Sequence, residues 1–276
     1  MKDIMTAPFL TEVRKLLQNM YRLGWDERNG GNLSYILKEE ELTPYLDVTK
    51  VIRNIPTNFD AKPLAGKYFI VTGTGKYFKN VYDDPENNLG IMRVSADGQS
   101  VELLWGYADG GRPTSELPAH FRSHISRLSV DPEHRVVLHT HCTNVIAMTF
   151  VHPLDERSFT RTLWQMCTEC MVVFPDGVGV LPWMLCGNDE IGIATAEKMK
   201  EFRLCVWGMH GIFGIFGTGR SLDEAFGLVE TVEKAAEIYV KIMNKPILQT
   251  ITDEQLWILA DAFGVTPREG FLEPRK

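Results

Sequence analysis

The chain has 276 residues, of which 44% are hydrophobic and 24% are charged, values typical of a globular protein with a substantial buried core. Its 29 lysines and arginines against 36 aspartates and glutamates give a formal net charge of 29 − 36 = −7. This lack of basic excess argues against nucleic acid as the main partner. No apolar run reaches the ~18 residues of a membrane-spanning helix, so no membrane partner is expected either.

The cysteine content indicates a reduced, cytoplasmic protein. There are five cysteines, an odd number, and the N-terminus lacks the pattern of a signal peptide. Cys167 and Cys170 form a single CxxC pair. Without a second pair, a structural zinc site is not favoured, and the βαβ context of a thioredoxin-like redox motif is missing.

Amphipathic helices and β-rich strands are predicted in irregular alternation along the chain. In chain order they are a helix at 8–23, strands at 32–38, 67–72, 91–96 and 101–106, a helix at 116–128, a strand at 135–141, helices at 143–150 and 158–168, strands at 171–174 and 177–181, a helix at 189–202, a strand at 204–209, and helices at 222–243 and 253–263. Asp97-Gly98 predicts a hairpin turn. Residues 210–219 are interpreted as a glycine-rich turn.

This order of elements predicts one α/β domain over residues 1–276. Strands often follow one another directly, so one mixed sheet covered by helices is favoured over a doubly wound parallel sheet. Residues 40–66 are rich in Pro, Asn and Asp but cause no shift in composition around them, which indicates an insertion within that domain. Residues 267–276, with Pro267 and Pro274, are expected to form a loose tail.

A histidine pair is the strongest chemical signal. His139 and His141 end a predicted strand, and side chains two apart on a strand share a face, so both imidazoles can converge on one ion. Two half-buried polar residues on a sheet surface would show the same pattern. His210, before Gly211, is a candidate third ligand, although alone it is more simply a loop histidine. Three histidines and an open position suit a catalytic divalent metal, with Zn²⁺ preferred.

A second histidine pair lies on a predicted helix. His120 and His124 are four residues apart and could chelate a metal. The glutamate of the H-E-x-x-H zinc motif is absent, however, because Phe121 follows His120. His124 also lies on the apolar stripe of the helix, which indicates a core residue.

Three donor-rich turns together favour a bound phosphate. They are the segments at 29–32 (NGGN), 72–76 (TGTGK) and 113–116 (PTSE). Glycines let backbone N–H groups turn toward an anion, and hydroxyls at a helix start add donors. Each segment alone is more often an ordinary turn or an N-cap, and neither glycine loop is a nucleotide-binding motif. Glu116 either simply suits the helix dipole or serves as a general acid and base.

Taken together, these segments resemble the class II aldolase/adducin family over roughly residues 10–243. The resemblance rests, in order, on Gly31-Asn32-Leu33-Ser34, Thr72-Gly73-Thr74-Gly75, Pro113-Thr114-Ser115-Glu116, His139-x-His141 and His210 before Gly211. Thr74 replaces a family serine conservatively. The chain length and segments such as TECMVVFPDGVG are closer to a longer sugar-phosphate aldolase than to the shorter fuculose-phosphate aldolases and ribulose-phosphate epimerases.

The resemblance implies an α/β/α arrangement with a central, largely antiparallel sheet, and a C4 homotetramer. It implies Zn²⁺ on His139, His141 and His210, Glu116 as the acid/base, and Glu169 contributed from a neighbouring subunit. The implied phosphate contacts are Asn29, Gly31, Asn32, Thr74, Gly75, Thr114 and Ser115. The implied reaction is reversible cleavage of a phosphorylated ketose to dihydroxyacetone phosphate and an aldehyde.

Two alternatives to this function remain open at the level of sequence. One is a different enzyme on the same scaffold, such as a fuculose-phosphate aldolase, a pentulose-phosphate 4-epimerase or a dehydratase. The other is an adducin-like interaction domain without activity. Such a domain would usually lack the ligand histidines, and all three are present here.

Overall fold

A mixed β-sheet lies at the centre of the molecule in the computed structural model, which describes residues 1–209 and 215–275. Within those residues the sheet has nine strands, in the spatial order β2-β5-β4-β3-β1-β6-β9-β8-β7. The strands are β1 Asn32–Leu37, β2 Arg53–Pro56, β3 Tyr68–Thr72, β4 Leu89–Val94, β5 Ser100–Gly106, β6 Val136–Thr140, β7 Gly179–Leu181, β8 Leu204–Trp207 and β9 Ile215–Gly219. Neighbouring strands are antiparallel except β7 and β8, which confirms the predicted sheet.

Helices of very different length connect the strands. They are α1 Pro8–Arg22, α2 Glu39–Leu42, α3 Phe78–Val81, α4 Pro85–Asn88, α5 Leu117–Val130, α6 Thr143–Val151, α7 Glu156–Met166, α8 Thr168–Val173, α9 Asp189–Lys198, α10 Leu222–Ile242 and α11 Asp253–Phe263. Among the described residues, no helix has the length and apolarity needed to cross a bilayer.

Alternating side chains of the strands supply a hydrophobic layer on each face of the sheet. On β6, Val136 and Leu138 pack in a cluster with residues of α1 and α10, whereas Val137 packs with residues of α5 and α9. On β8, Val206 packs with residues of α6, α7 and α10, and Cys205 packs on the α5 and α9 side. The sheet is therefore covered by helices on both faces, in the α/β/α arrangement expected from the family resemblance.

Two predicted elements are wrong. Residues 171–174, predicted as a strand, lie mostly in α8, because a short apolar run does not distinguish a strand from a buried helix. The predicted turn at 210–219 contains β9. Gly217 and Gly219 suggested a turn, but on β9 they allow the backbone of α10 to approach, since a Cβ at Gly217 would lie 3.0 Å from the Ala225 carbonyl oxygen.

Two segments of the predicted domain also differ from expectation: residues 40–66 and the C-terminal segment. The segment at 40–66 contributes β2, an edge strand paired with β5, and is part of the sheet. The C-terminal segment expected to be loose packs against α7 and α11. Phe271 and Leu272 are buried, and the guanidinium of Arg161 donates to the carbonyl of Phe271 at 2.6 Å.

Candidate active site

The start of β1 and the ends of β3 and β6 meet at one end of the sheet, because β1 is antiparallel to both neighbours. Asn32, the first residue of β1, lies opposite His139 in the register with β6. On the other side, the backbone N–H of Leu33 donates to Oγ1 of Thr72 at 3.0 Å. The strand pairing therefore brings the NGGN and TGTGK segments beside the predicted metal-binding pair.

The PTSE segment pairs with the turn that follows β3. The backbone N–H of Thr74 donates to the carbonyl of Arg112 at 2.9 Å, and that of Thr114 donates to the carbonyl of Thr72 at 2.9 Å. Oγ1 of Thr114 accepts a hydrogen bond from the backbone N–H of Glu116 at 3.3 Å, which closes a local turn just before α5. These contacts hold Glu116 at the same end of the sheet.

The Glu116 side chain is buried, with 4% of its surface exposed. Its Oε2 accepts a hydrogen bond from Nδ2 of Asn32 at 2.8 Å and lies 3.8 Å from Nε2 of His139. Its Oε1 has no hydrogen-bond partner among residues 1–209 and 215–275. Burial raises the pKa of Glu116 to about 7, against the opposing effect of the Asn32 hydrogen bond. A carboxyl group that titrates near neutral pH is suited to general acid–base catalysis.

His139 and His141 are both buried, with ring centroids 5.4 Å apart, as expected for two residues on one face of a strand. Nδ1 of His141 lies 3.0 Å from Oε2 of Glu27. A carboxylate only accepts hydrogen bonds, so this nitrogen carries the proton and Nε2 keeps the lone pair that a metal needs. Trp207 packs against the other ring, 5.3 Å from His139 between centroids.

These side chains fit part of a divalent metal site. Two imidazoles and the nearby carboxylate of Glu116 are donors of the kind that Zn²⁺ binds. His210, the third predicted ligand, lies outside the described residues. In the part of the chain that the structure describes, no group of three His, Cys, Asp or Glu side chains is arranged to hold a metal ion.

The glycines of the NGGN loop pack directly on this centre. A Cβ on Gly30 would overlap the ring of His141, and a Cβ on Gly31 would overlap the carboxylate of Asp26. Gly31 also has φ +74°, a left-handed conformation that favours glycine. Asp26 is buried, which raises the pKa of its carboxyl, and it accepts a hydrogen bond from Oγ1 of Thr140 at 3.0 Å.

The other predicted phosphate contacts are more accessible. Asn29, Gly75 and Ser115 are exposed, and Thr74 is half-buried. They lie on the segments that surround Glu116, where a ligand can reach them.

Glu169 is exposed on α8, where its Oε2 accepts a hydrogen bond from Sγ of Cys167 at 2.9 Å. Within one chain, no hydrogen bond or ion pair among the described residues joins it to Glu116. Both thiols of the CxxC pair are free, as are the other three cysteines.

Several residues of this centre were missed in the sequence. Arg28 alone separates Asp26 and Glu27 from the NGGN loop, so their position was the available signal. The helix pair His120 and His124 does not chelate a metal with its ring nitrogens. Nδ1 of His120 and Nε2 of His124 lie 2.7 and 2.8 Å from the hydroxyl of Ser34.

Comparison with known proteins identifies the family. The family model described as "Class II Aldolase and Adducin N-terminal domain" matches residues 11–240. The chain belongs to the class II aldolase and adducin family.

Curated and solved relatives of this class II aldolase cover almost the whole chain. A rhamnulose-1-phosphate aldolase of Enterococcus faecalis is 62% identical over 274 residues, covering 99% of this chain and 97% of that protein. One of Listeria monocytogenes is 63% identical over 272 residues, covering 98% of each chain. The crystal structure of a sugar-phosphate aldolase from Thermotoga maritima is 28% identical with a TM-score of 0.72, covering 85% of this chain and 94% of that one.

Proposed function

We propose that this class II aldolase cleaves L-rhamnulose 1-phosphate reversibly to dihydroxyacetone phosphate and L-lactaldehyde, in rhamnose catabolism. The substrate is taken from the relatives named rhamnulose-1-phosphate aldolase, which match 98–99% of the chain. One structural observation carries the reaction type: the buried carboxyl of Glu116 lies 3.8 Å from Nε2 of His139, with donor-rich turns around it. An adducin-like domain without activity would not need this arrangement.

The metal is proposed to be one Zn²⁺ per subunit, held by His139, His141 and His210. When bound there, the ion would supply Lewis-acid stabilisation at the ketone oxygen, so no Schiff-base lysine would be needed. The contact between Glu27 and Nδ1 of His141 supports this assignment, since outer carboxylates commonly orient metal-binding histidines.

Carboxyl groups of the chain carry out the proton transfers of the proposed reaction. A base takes the proton of the C4 hydroxyl as the C3–C4 bond breaks, so that the aldehyde carbonyl forms at C4 and the electron pair of the broken bond stays at C3. That carbon then takes a proton. Glu116 delivers the proton at C3, because its pKa is near neutral and its Oε1 has no hydrogen bond within the described residues.

Phosphate binding fixes the substrate relative to this acid. The phosphate is one carbon from the ketone, so holding it also positions the reacting carbon. The proposed contacts are Asn29, Gly31, Asn32, Thr74, Gly75, Thr114 and Ser115. The hydrogen bond from the backbone N–H of Thr114 to the carbonyl of Thr72 holds the PTSE and TGTGK segments together, which supports a shared anion site.

The proposed assembly is a C4 homotetramer in the cytoplasm. Glu169 is exposed, and its carboxylate faces the active site of the neighbouring subunit in this proposal. The five free thiols are consistent with a reducing compartment. Sedimentation that shows a fully active monomer would contradict the tetramer and the role of Glu169 together.

Glu116→Gln tests the proposed proton transfer. The variant keeps the shape of the side chain and removes the proton acceptor, so kcat should fall by about 10²- to 10⁴-fold. The metal content should stay near wild type. Exchange of the C3 proton of dihydroxyacetone phosphate with deuterated water isolates this step, because it needs no aldehyde. Exchange at the wild-type rate would exclude Glu116, and Glu169→Gln would be measured next.

The substrate is tested separately on the wild-type enzyme. L-Rhamnulose 1-phosphate and L-fuculose 1-phosphate differ in stereochemistry, and turnover of each distinguishes the proposed aldolase from a fuculose-phosphate aldolase. A 4-epimerase or a dehydratase would release no dihydroxyacetone phosphate from either. Equal cleavage of unphosphorylated rhamnulose would contradict the proposed phosphate site.

A further inference from the structure

A continuous chain of buried hydrogen bonds runs from Glu116 into the interior between β1 and α5. Its members, in order from the active site, are Glu116, Asn32, His120, Ser34, His124 and His134. The contacts from His120 inwards measure 2.7 Å to the Ser34 hydroxyl, 2.8 Å from there to His124, and 2.8 Å between His124 and His134. All six residues are at most 5% exposed.

The chemistry of the end groups fixes the direction of every bond. The carboxylate of Glu116 accepts, so the amide nitrogen of Asn32 faces it and the amide oxygen faces His120. Nε2 of His120 must then carry a proton to donate to that oxygen. In a neutral imidazole the other nitrogen, Nδ1, is an acceptor, and it takes the hydroxyl proton of Ser34.

The same argument continues beyond Ser34. Its hydroxyl has donated to His120, so it accepts from Nε2–H of His124. Nδ1 of His124 is then an acceptor, and Nε2–H of His134 donates to it. Burial lowers the pKa of His120 and of His134 to about 3, which agrees with neutral rings. Each donor in the chain therefore points toward Glu116.

We infer that Ser34, His120 and His124 are positioning residues that lock the Asn32 amide with its nitrogen toward Oε2 of Glu116. A locked donor keeps Oε2 an acceptor in both protonation states of the carboxyl. Oε1, the oxygen without a hydrogen bond in the described residues, is thereby left as the carboxyl oxygen available to the substrate. The chain does not conduct protons, because an amide at Asn32 has no ionisable position to pass one on.

This inference deepens the proposed function, since it explains how the acid of the reaction is held. Removal of the Ser34 hydroxyl breaks the hydrogen-bonded chain at its centre, so that the Asn32 amide is no longer locked in one orientation. His120 can then carry its proton on Nδ1, its Nε2 becomes an acceptor, and the Asn32 amide turns over. The amide oxygen would then face the Glu116 carboxyl, which weakens the ionised acid/base form.

The first test measures the tautomers directly in the zinc-loaded wild-type enzyme. Solid-state ¹⁵N spectra of histidine-labelled protein separate protonated from unprotonated ring nitrogens, and single substitutions assign the signals. His120, His124 and His134 should all be neutral at pH 7 with the proton on Nε2. A proton on Nδ1 of His120 or His124, or a cationic ring at either position, would overturn the inference.

The second test compares Ser34→Ala with two matched variants. Ser34→Ala should lower kcat by about 10- to 100-fold, the effect of losing a hydrogen bond to a charged group, and change KM for L-rhamnulose 1-phosphate less than threefold. Ser34→Thr restores a hydroxyl and should recover most of the lost kcat. Ser123→Ala, on the same helix as the histidines, removes a buried hydroxyl that has no hydrogen bond in the described residues, and should leave kcat unchanged.

The outcomes separate this inference from the proposed function. If wild-type protein fails to cleave the ketose phosphate, the proposed function is wrong. The tautomer measurement then still decides whether the histidines lock the orientation of the Asn32 amide. If wild type is active and Ser34→Ala and Ser123→Ala have equal kcat, the lock is overturned alone. Should Ser34→Ala not fold, the wild-type tautomers alone carry the decision.

Discussion

Protonation of buried histidines should weaken this fold at acid pH, and His134 allows the clearest measurement. Burial lowers its pKa to about 3, with a smaller contribution in the same direction from Arg127 and an opposing one from Asp131. In the unfolded chain a histidine titrates near 6.5. Between these two values the unfolded chain binds a proton that the folded chain does not. The stability due to neutral His134 is therefore complete above about pH 6.5 and is lost as pH falls toward about 3.

The size of the effect follows from the difference between the two pKa values. At pH 5 the solution is about 1.5 pH units below the unfolded pKa, and each unit is worth about 1.4 kcal/mol, so the loss is about 2 kcal/mol. His134→Gln keeps a donor for Nδ1 of His124 but does not titrate. The free energy of unfolding of this variant is compared with that of wild type, and the amount by which it is lower is called its deficit. Whatever the deficit is at pH 7, it should be about 2 kcal/mol smaller at pH 5. Glu116, whose raised pKa acts in the opposite direction, is present in both proteins and cancels.

Urea unfolding at pH 5, 6, 7 and 8 measures this difference, at one fixed protein concentration because the proposed tetramer would make the apparent stability concentration-dependent. Ser123→Ala serves as the control, since it changes a buried residue of α5, the helix that carries His124, without removing a titrating group. Its deficit should be the same at every pH. A His134→Gln deficit that stays constant within about 0.5 kcal/mol between pH 7 and pH 5 would refute the assignment of a neutral buried ring.

Two further predictions concern the residues that support the proposed metal-binding pair, His139 and His141. Glu27→Gln should lower the affinity for Zn²⁺ by about 10- to 100-fold, because an amide holds the Nδ1 proton of His141 less strongly than a carboxylate does. Competition with a chelator measures this, and an unchanged affinity would show that Glu27 does not orient the ligand. Gly31→Ala should destabilise the protein by more than about 1 kcal/mol, through its positive φ and the overlap with Asp26. Thermal unfolding tests it against Gly227→Ala, where a Cβ meets nothing within 4 Å.

The local spacing of apolar residues predicted most of the fold, because the helices and strands that bury each face of the sheet carry apolar side chains at regular intervals. It failed where a residue is explained only by a distant neighbour. Gly217 and Gly219 belong to a strand on which α10 packs closely. The sequence of residues 210–219 alone does not indicate that a helix packs there. Most of the apolar run at 171–174 is helical because α8 packs on α10 and α11. Both of these helices lie far from α8 in sequence.

The candidate site shows the same division between local and distant information. Alternation along a strand was enough to place His139 and His141 on one side. The carboxylates that contact His141 and Thr140 were not predicted, since Glu27 meets His141 across 114 positions of the chain. Asp26 reaches Thr140 over the same separation. Contacts of this kind depend on the strand register, which only the folded sheet supplies.

Two motifs that sequence analysis treated separately form one unit in the fold. Asn32 and Ser34 are two apart on β1, so they share a face and are about 6.8 Å apart along the strand. His120 and His124 are four apart on α5, so they share a face and are about 6 Å apart along the helix axis. Because the two spacings nearly match, the four side chains interdigitate, with each hydroxyl or amide meeting a ring nitrogen. An N-x-S strand facing an H-x-x-x-H helix therefore accounts for both pairs: the histidines serve to hold the strand's polar groups in one orientation toward Glu116.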